Sequence, residues 1–217
     1  MAEINAAVLF STEQAKLIND VISDPLFKHS DWNKEELTKE LQDLRSYIRG
    51  HYRKEQKEKC AYCQKDLSTV SALNCHVEHI VPKSRYDSFM FETKNLCVAC
   101  ADCNQIKNEK DTLTLLSGNK VRKKYPRSSS GFSIIHPHFD DYEEHIEIYY
   151  RKWYIDLTPK GHFTIGACKL NQRGGRYGIE EPDEMIQMAI ELQEAKQSKK
   201  NILVELIKNR IRDLCDE

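Results

Sequence analysis

The chain has 217 residues, with 33 lysines and arginines against 34 aspartates and glutamates and a formal net charge of −1, a length that suits one large domain or two small ones. Hydrophobic residues make up 40% and charged residues 31%, which excludes an intrinsically disordered chain, and the near-neutral balance excludes a generic polycation that coats nucleic acid. The longest apolar runs, five residues at 6–10 and six at 96–101, fall far short of the roughly 18 that span a bilayer. The N-terminus has no basic stretch followed by a sustained apolar one, so no secretory signal is expected and the reducing cytoplasm is the expected compartment. The eight cysteines are then expected as thiols or metal ligands rather than disulfides.

In chain order, Ser11 followed by Gln14 forms a capping-box pattern, and Leu17, Ile18, Val21 and Ile22 recur at helical spacing until Asp24-Pro25 stops the run. Asn33 with Glu36 three residues on predicts the start of a second helix, with an apolar face of Leu37, Leu41, Leu44, Ile48 and Tyr52. From 60 to about 116 the pattern changes to short strands, turns and one small helix. Residues 73–80 read as a strand ended by Val81-Pro82, 84–94 as a loop, and the stretch after Cys103 as a helix, since no Pro or Gly follows until Gly118. Residues 128–131 read as a linker. Strands are predicted over 132–135, 145–157 and 163–168, with Pro159-Lys160-Gly161 as a turn between the last two. Residues 171–178, with three glycines, read as a flexible connection, and Pro182 opens a final helical region with apolar residues at 185, 189, 192, 203, 206 or 207, and 214.

Charge is uneven along this order. Residues 45–59 hold six basic and two acidic residues, 120–127 hold five basic and no acidic ones, and 140–147 hold five acids without a lysine or arginine. A basic run taken alone is more often a solvated face than a binding surface. The first run leads directly into Cys60, which makes it the better candidate for gripping nucleic acid; Arg122, Lys123, Lys124 and Arg127 form the second.

Two CxxC pairs, Cys60 with Cys63 and Cys100 with Cys103, have the spacing that turns two sulfurs toward one ion, and four thiolates complete the tetrahedron of a structural Zn²⁺. The 36 residues between the pairs exceed a simple zinc ribbon, so the metal would clamp a substantial insert. Cys97 overlaps the second pair with a CxxC of its own, and spacing alone leaves the choice between the two pairs open. Cys75 and Cys168 read as small buried apolar residues and Cys215 as incidental.

Inside the insert, Glu78-His79 sits near a predicted strand end, a hard oxygen ligand beside a proton acceptor. Strict alternation sends the two side chains to opposite faces, but Pro82 marks the end of the regular strand, where local twist can bring both to one site. Asn95-Leu96 follows, then Cys103-Asn104 with Lys107 one turn further on. His76 shares strand parity with Glu78, although a packed histidine is the commoner outcome. His136-Pro137-His138 with Asp140 and Asp141 reads as an ordered turn in preference to a second metal cluster.

Cys60-x-x-Cys63, Glu78-His79-Ile80-Val81-Pro82, Asn95-Leu96 and Cys100-x-x-Cys103-Asn104-x-x-Lys107 together resemble the HNH, or ββα-metal, endonuclease superfamily with a four-cysteine zinc site. The resemblance covers about residues 60–115. It implies that Cys60, Cys63, Cys100 and Cys103 hold structural Zn²⁺ and that Cys97 does not, because the asparagine of the Asn-Leu pair commonly lies five residues before the first cysteine of the second knuckle. It also implies His79 as general base, Glu78 and Asn104 as ligands of catalytic Mg²⁺ or Mn²⁺, and Asn95 as the residue that orients His79 or its loop. Lys107, with the nearby Lys83, Arg85 and Lys110, is a candidate for holding phosphates.

The fold expected is α+β: a zinc-braced ββα-metal core over 60–127, an N-terminal helical region over 1–59, and C-terminal strands followed by helix over 128–217. The activity implied is metal-dependent hydrolysis of DNA phosphodiester bonds, leaving 5′-phosphate and 3′-hydroxyl ends. The settings implied are restriction, mobile elements, toxins or bacterial anti-phage defence, the last beside an ATPase or sensor partner. The rival reading is an inactive zinc-stabilised nucleic-acid-binding or protein adaptor, which would need the cysteines but not Glu78, His79, Asn95 or Asn104.

Overall fold

The structure is a computed structural model that describes residues 4–34, 37–115, 122–149, 153–172, 191, 206, 207 and 209. Contacts divide the chain into two units, Met1–Tyr142 and Glu143–Glu217. No helix among the described residues is long and apolar enough to cross a membrane.

In the first unit, α1 (Thr12–Ile22) starts on the expected capping box: Gln14 N–H donates to Ser11 Oγ at 3.2 Å, and Ser11 N–H donates to the Gln14 side chain at 2.9 Å. α2 (Thr38–Glu55) buries Leu41, Leu44, Ile48 and Tyr52, the face read from the sequence. Its start differs from expectation. Asn33 ends a separate 3₁₀ turn (His29–Asn33), Leu37 occupies the N-cap without a side-chain bond, and Glu36 lies outside the described residues. Asn33 Oδ1 instead accepts from Arg45 at 2.8 Å, so the side chain that looked like a cap ties the turn to the helix.

Beyond α2 come β1 (His76–His79), β2 (Leu96–Ala99) and α3 (Ala101–Lys107), a ββα unit in an α+β fold. The strands are antiparallel, with Glu78 opposite Cys97 and His79 opposite Leu96. β1 is shorter than 73–80 because Ala72–Asn74 form a 3₁₀ turn, capped by the Ser71 hydroxyl on Leu73 N–H at 3.1 Å. α2 packs on both strands. Gln56, at its C-cap, is fully buried and treats Val98 like a neighbouring strand, accepting its N–H at 2.7 Å and donating to its carbonyl at 2.9 Å. α3 ends at Lys107, where Asn108 turns to φ 45°, so the long helix expected after Cys103 stops after two turns.

Residues 128–131 are a packed 3₁₀ turn rather than a linker: Gly131 is buried and its carbonyl accepts from Thr114 N–H at 3.1 Å. Of the strand expected over 132–135, only the bridge between Phe132 and Leu113 forms.

In the second unit, 145–157 is a hairpin of β3 (Ile146–Tyr149) and β4 (Trp153–Asp156), not one strand. The strand expected over 163–168 is helical, within α4 (Pro159–Cys168). The local signals were of a helix start: Thr158 Oγ1 accepts from Gly161 N–H at 3.2 Å as N-cap, Pro159 opens the first turn, and Gly161, Thr164, Ile165 and Cys168 are buried at helical spacing. Of the flexible connection expected over 171–178, Asn171 is instead buried and clasps Tyr154 of β4, accepting its N–H at 2.9 Å and donating to its carbonyl at 2.8 Å; residues 173–178 and the final helical region from Pro182 lie outside the described residues apart from 191, 206, 207 and 209.

Gly161 permits the helix to approach β3, since a Cβ there would lie 1.9 Å from the His145 carbonyl oxygen. Alanine normally gains about 0.5–1 kcal/mol over glycine in a helix, whereas forcing a methyl against backbone costs about 1–3 kcal/mol. The second effect wins, so Gly161→Ala is expected to lower the melting temperature; a variant as stable as the wild type would disprove this close contact.

Candidate functional site

The four cysteines expected as zinc ligands come together. Cys60, Cys63, Cys100 and Cys103 are buried, and their sulfurs lie within 4.8 Å of one another, with Cys63 Sγ and Cys100 Sγ 3.8 Å apart. Tetrahedral Zn–S bonds of about 2.3 Å require sulfurs about 3.8 Å apart. Backbone amides add donors for thiolates: Cys100 N–H to Cys60 Sγ at 3.3 Å and Cys103 N–H to Cys100 Sγ at 3.4 Å. Hydrogen bonds from Cys103, Cys60 and Cys63 hold the Cys100 thiol far below its ordinary range, while burial lifts Cys60 above it. The donor set therefore fits a structural zinc ion. Cys97 and Cys75 are also buried but stand outside the four-sulfur cluster.

This cluster joins the loop before β1 to the N-terminus of α3, and both attachments reach Glu78. Tyr62, inside the first knuckle, donates its hydroxyl to Glu78 Oε1 at 3.3 Å, and its own carbonyl accepts from Tyr142 at 2.8 Å. Lys107, in the last turn of α3, places Nζ 2.7 Å from the same Oε1 and 2.9 Å from the His79 carbonyl. Burial raises the Glu78 pKa, opposed by Lys107 and Tyr62. Both side-chain partners hold Oε1, and the His79 backbone N–H also hydrogen-bonds the carboxylate. Lys107 is 0% exposed. It sits behind the strand, away from any surface that a phosphate could touch.

His79 closes β1 with only 6% of its surface exposed. Its Nε2 lies 3.0 Å from the Met90 carbonyl, an acceptor only, so Nε2 carries the hydrogen and Nδ1 the lone pair. The Trp32 ring packs edge-on at 4.6 Å between centroids. Burial, with the Lys83 charge adding to it, pushes the imidazole pKa down to about 3, so the ring is neutral. Asn95 does not bind the imidazole. Fully buried, it spans the loop after β1, accepting from Val81 N–H at 2.7 Å and donating to the carbonyls of Val81 at 3.1 Å and Phe89 at 2.9 Å.

Glu78, His79 and Asn104 line one cleft of about 520 Å³. Strict strand alternation would send Glu78 and His79 to opposite faces, yet both line this cleft at the point where β1 ends. His76 and the half-buried Lys83 also line the cleft, and His76 Nε2 is 2.9 Å from the Leu73 carbonyl. Trp32, Arg45 and Arg49 face the same space from the N-terminal segment. Trp32 has no motif that could have marked it. Tyr62 was marked only by its place between two cysteines.

Other candidates are engaged elsewhere. Arg85 pairs with Asp111 at 3.5 Å, Lys110 donates to the Ile106 carbonyl at 2.9 Å, and Arg127 grips both oxygens of Glu92 at 3.0 Å. In the turn at 136–140, His136 is fully buried, with Nε2 2.8 Å from the Tyr125 hydroxyl and Nδ1 accepting from His138 N–H at 3.3 Å. Both ring nitrogens are thus used in packing, as the ordered-turn reading expects.

Residues 60–110 match the family model described as HNH endonuclease. This segment is an HNH segment. No curated protein and no solved structure matches the chain.

One zinc per chain is expected from the wild type and from Cys97→Ala, and none from Cys103→Ser, which should also melt well below the wild type; equal zinc content in Cys103→Ser would remove the clamp. A second test concerns His138, whose Nε2 lies 2.8 Å from the Leu96 carbonyl and whose pKa burial pushes down to about 4. The unfolded chain takes up that proton near pH 6.5 and the folded one near 4, so this group contributes stability that is fully present above pH 6.5 and is lost as pH falls toward 4. The zinc thiolates also lose stability with acid, so the measurement is a comparison. The denaturation midpoint of His138→Gln should fall less steeply between pH 6.5 and 4 than that of the wild type, and parallel profiles would refute the assignment.

Proposed function

We propose that the cleft hydrolyses phosphodiester bonds in a nucleic acid, with DNA as the substrate. The observation that carries the reading is the meeting of Glu78, His79 and Asn104 at one cleft, with Nδ1 of His79 left as the ring's lone pair. Two hard oxygen donors, the Glu78 carboxylate and the Asn104 amide oxygen, fit Mg²⁺ or Mn²⁺ better than a soft ion. Bound there, such an ion would neutralise charge on the phosphoryl oxygen and the departing 3′ oxygen.

The chain's own residues supply the rest. His79 Nδ1 takes a proton from water as the water oxygen bonds to phosphorus and the bond to the 3′ oxygen breaks; the departing 3′ alkoxide takes a proton from solvent, giving 5′-phosphate and 3′-hydroxyl ends. The Met90 carbonyl, already on Nε2, strengthens its bond as the ring gains charge, and so favours transfer in a site that otherwise disfavours imidazolium. Asn95 acts at one remove, as a positioning residue that fixes the loop carrying Met90. Lys107 and Tyr62 both reach Oε1 and so fix the direction of the carboxylate that would hold the ion. With this reading go the settings implied by the resemblance: a cytoplasmic enzyme of restriction or anti-phage defence, beside an ATPase or sensor.

Purified wild-type protein is expected to nick plasmid DNA only when Mg²⁺ or Mn²⁺ is supplied. Loss of a general base removes about 10²–10⁴ of rate, so His79→Ala should fall by that range, and Asn104→Ala should be similarly impaired, both with unchanged zinc content. Nicking by His79→Ala at the wild-type rate would overturn His79 as the base, and no nicking by wild type with either ion would leave the adaptor reading in place of the enzyme.

A further inference from the structure

The HNH segment does not wall the cleft alone. Arg45 and Arg49 stand one turn apart on one face of α2, and both line the space that holds Glu78, His79 and Asn104. Like charges at this spacing repel. Neither has a carboxylate partner among the described residues, whereas Lys34, Lys59 and Arg127 are paired with Asp24, Asp66 and Glu92. Two other members of this basic run are engaged: Arg53 donates to the Thr69 carbonyl at 3.0 Å, and Lys59 takes Asp66.

The Arg45 guanidinium is also held in place. Arg45 Nη1 donates to the Trp32 carbonyl and to Asn33 Oδ1, and burial with the charge of Arg49 lowers its pKa. Arg49 is half-buried, and its Nε is shielded from solvent without a hydrogen-bond partner. A solvated helix face looks different, as Lys39 on the same helix shows by being exposed. Two partly desolvated cations with no carboxylate partner among the described residues, in the cleft that holds Glu78 and His79, make an arrangement that an anion would complete.

We propose that Arg45 and Arg49 form a phosphate-anchoring subsite that holds the nucleic-acid backbone at a phosphate beside the scissile one. The inference rests on the nuclease reading in taking the cleft to seat a phosphodiester chain. The scissile phosphate must reach Nδ1 of His79 and the ligands of β1 and α3, so cations delivered by α2 meet a neighbouring phosphate, and a cleft of about 520 Å³ has room for more than one anionic group. A guanidinium fork matches phosphate oxygens in pairs and reads no base edge, so the contact is independent of sequence.

Fluorescence anisotropy with a labelled DNA duplex, without added Mg²⁺ or Mn²⁺, measures this without turnover. Each phosphate contact contributes about 0.9 to the slope of log affinity against log salt on duplex DNA. Arg49→Gln is expected to reduce the slope by about that amount and to weaken unrelated duplexes alike, Arg49→Lys to keep the slope, and Lys39→Gln to leave both quantities unchanged. Arg45→Gln also releases Trp32, so the Arg49 variants decide. The subsite is overturned if Arg49→Gln, with wild-type zinc content and melting temperature, keeps the wild-type slope, or if Arg49→Lys loses as much slope as Arg49→Gln, or if the wild type does not bind duplex. A chain that loses slope at Arg49 but never nicks plasmid keeps this subsite and discards the nuclease reading; a chain that nicks with an unchanged slope does the reverse.

Discussion

Four sulfurs within 4.8 Å of one another govern the arrangement around them. β1 and β2 are four residues each, and a two-stranded ladder of that length is marginal on its own in water. The cysteine cluster compensates by fastening the chain on both sides of the ladder: Ala61, in the first knuckle, donates to the Val98 carbonyl at 3.1 Å, and Cys100 begins α3 directly after β2. Because α3 starts on a sulfur, the rotation of its first two turns is fixed. Asn104 follows Cys103 immediately and faces the cleft, while Lys107, one turn on, points under β1. A small rigid clamp thereby sets the position of a polar residue and of a buried cation together.

The buried pair that results is not a stability device in itself. Desolvating an ammonium and a carboxylate costs several kcal/mol per ion, and a good contact roughly offsets it. What the pair provides is direction. With the Glu78 side chain only 7% exposed and Lys107 at 0%, the carboxylate cannot rotate freely, and Lys107 also fastens the His79 carbonyl. Removing the lysine would leave an uncompensated carboxylate under the strand, so Glu78, the backbone of His79 and the end of α3 behave as one unit. The same residue type at the surface would serve as a phosphate contact. Burial changes its role from binding substrate to aiming a carboxylate.

Much of the ββα segment was legible in the sequence because its constraints are local. A CxxC turn, an asparagine after a cysteine and a proline after a strand each act within a few residues, and the expected cysteine set, with Cys97 excluded, matches the cluster observed. The helix face of α2 was legible for the same reason, through periodicity alone. The errors came where tertiary contacts overrode a local pattern. Residues 163–168 alternate like a strand, yet Thr158-Pro159 starts a helix there and Gly161 lets it lie on β3. Asn33 looks like a cap until Arg45 takes its oxygen. Residues 128–131 look like a linker by composition, but Gly131 is buried against Pro126 and Thr114. Neither the place of Trp32 on His79 nor the burial of Lys107 follows from spacing, since each depends on a partner 28 or more residues away.

The contribution of the N-terminal segment changes how the base is understood. A histidine at the end of a two-stranded ladder would ordinarily be wet, and its charge state would follow the solution. Here Trp32 covers its ring, Met90 fixes its tautomer through Nε2, and the nearby Lys83 charge disfavours the imidazolium. Each of these keeps a lone pair on Nδ1, but each also makes the protonated ring harder to reach during a reaction. That tension is eased only if negative charge arrives with the substrate. On the proposed reading a phosphodiester backbone would bring it, and the α2 cations, which have no carboxylate partner among the described residues, would give that backbone a place to lie without neutralising the carboxylate already committed to Lys107. The wall from α2 would then hold the chain and the wall from the HNH segment would break it.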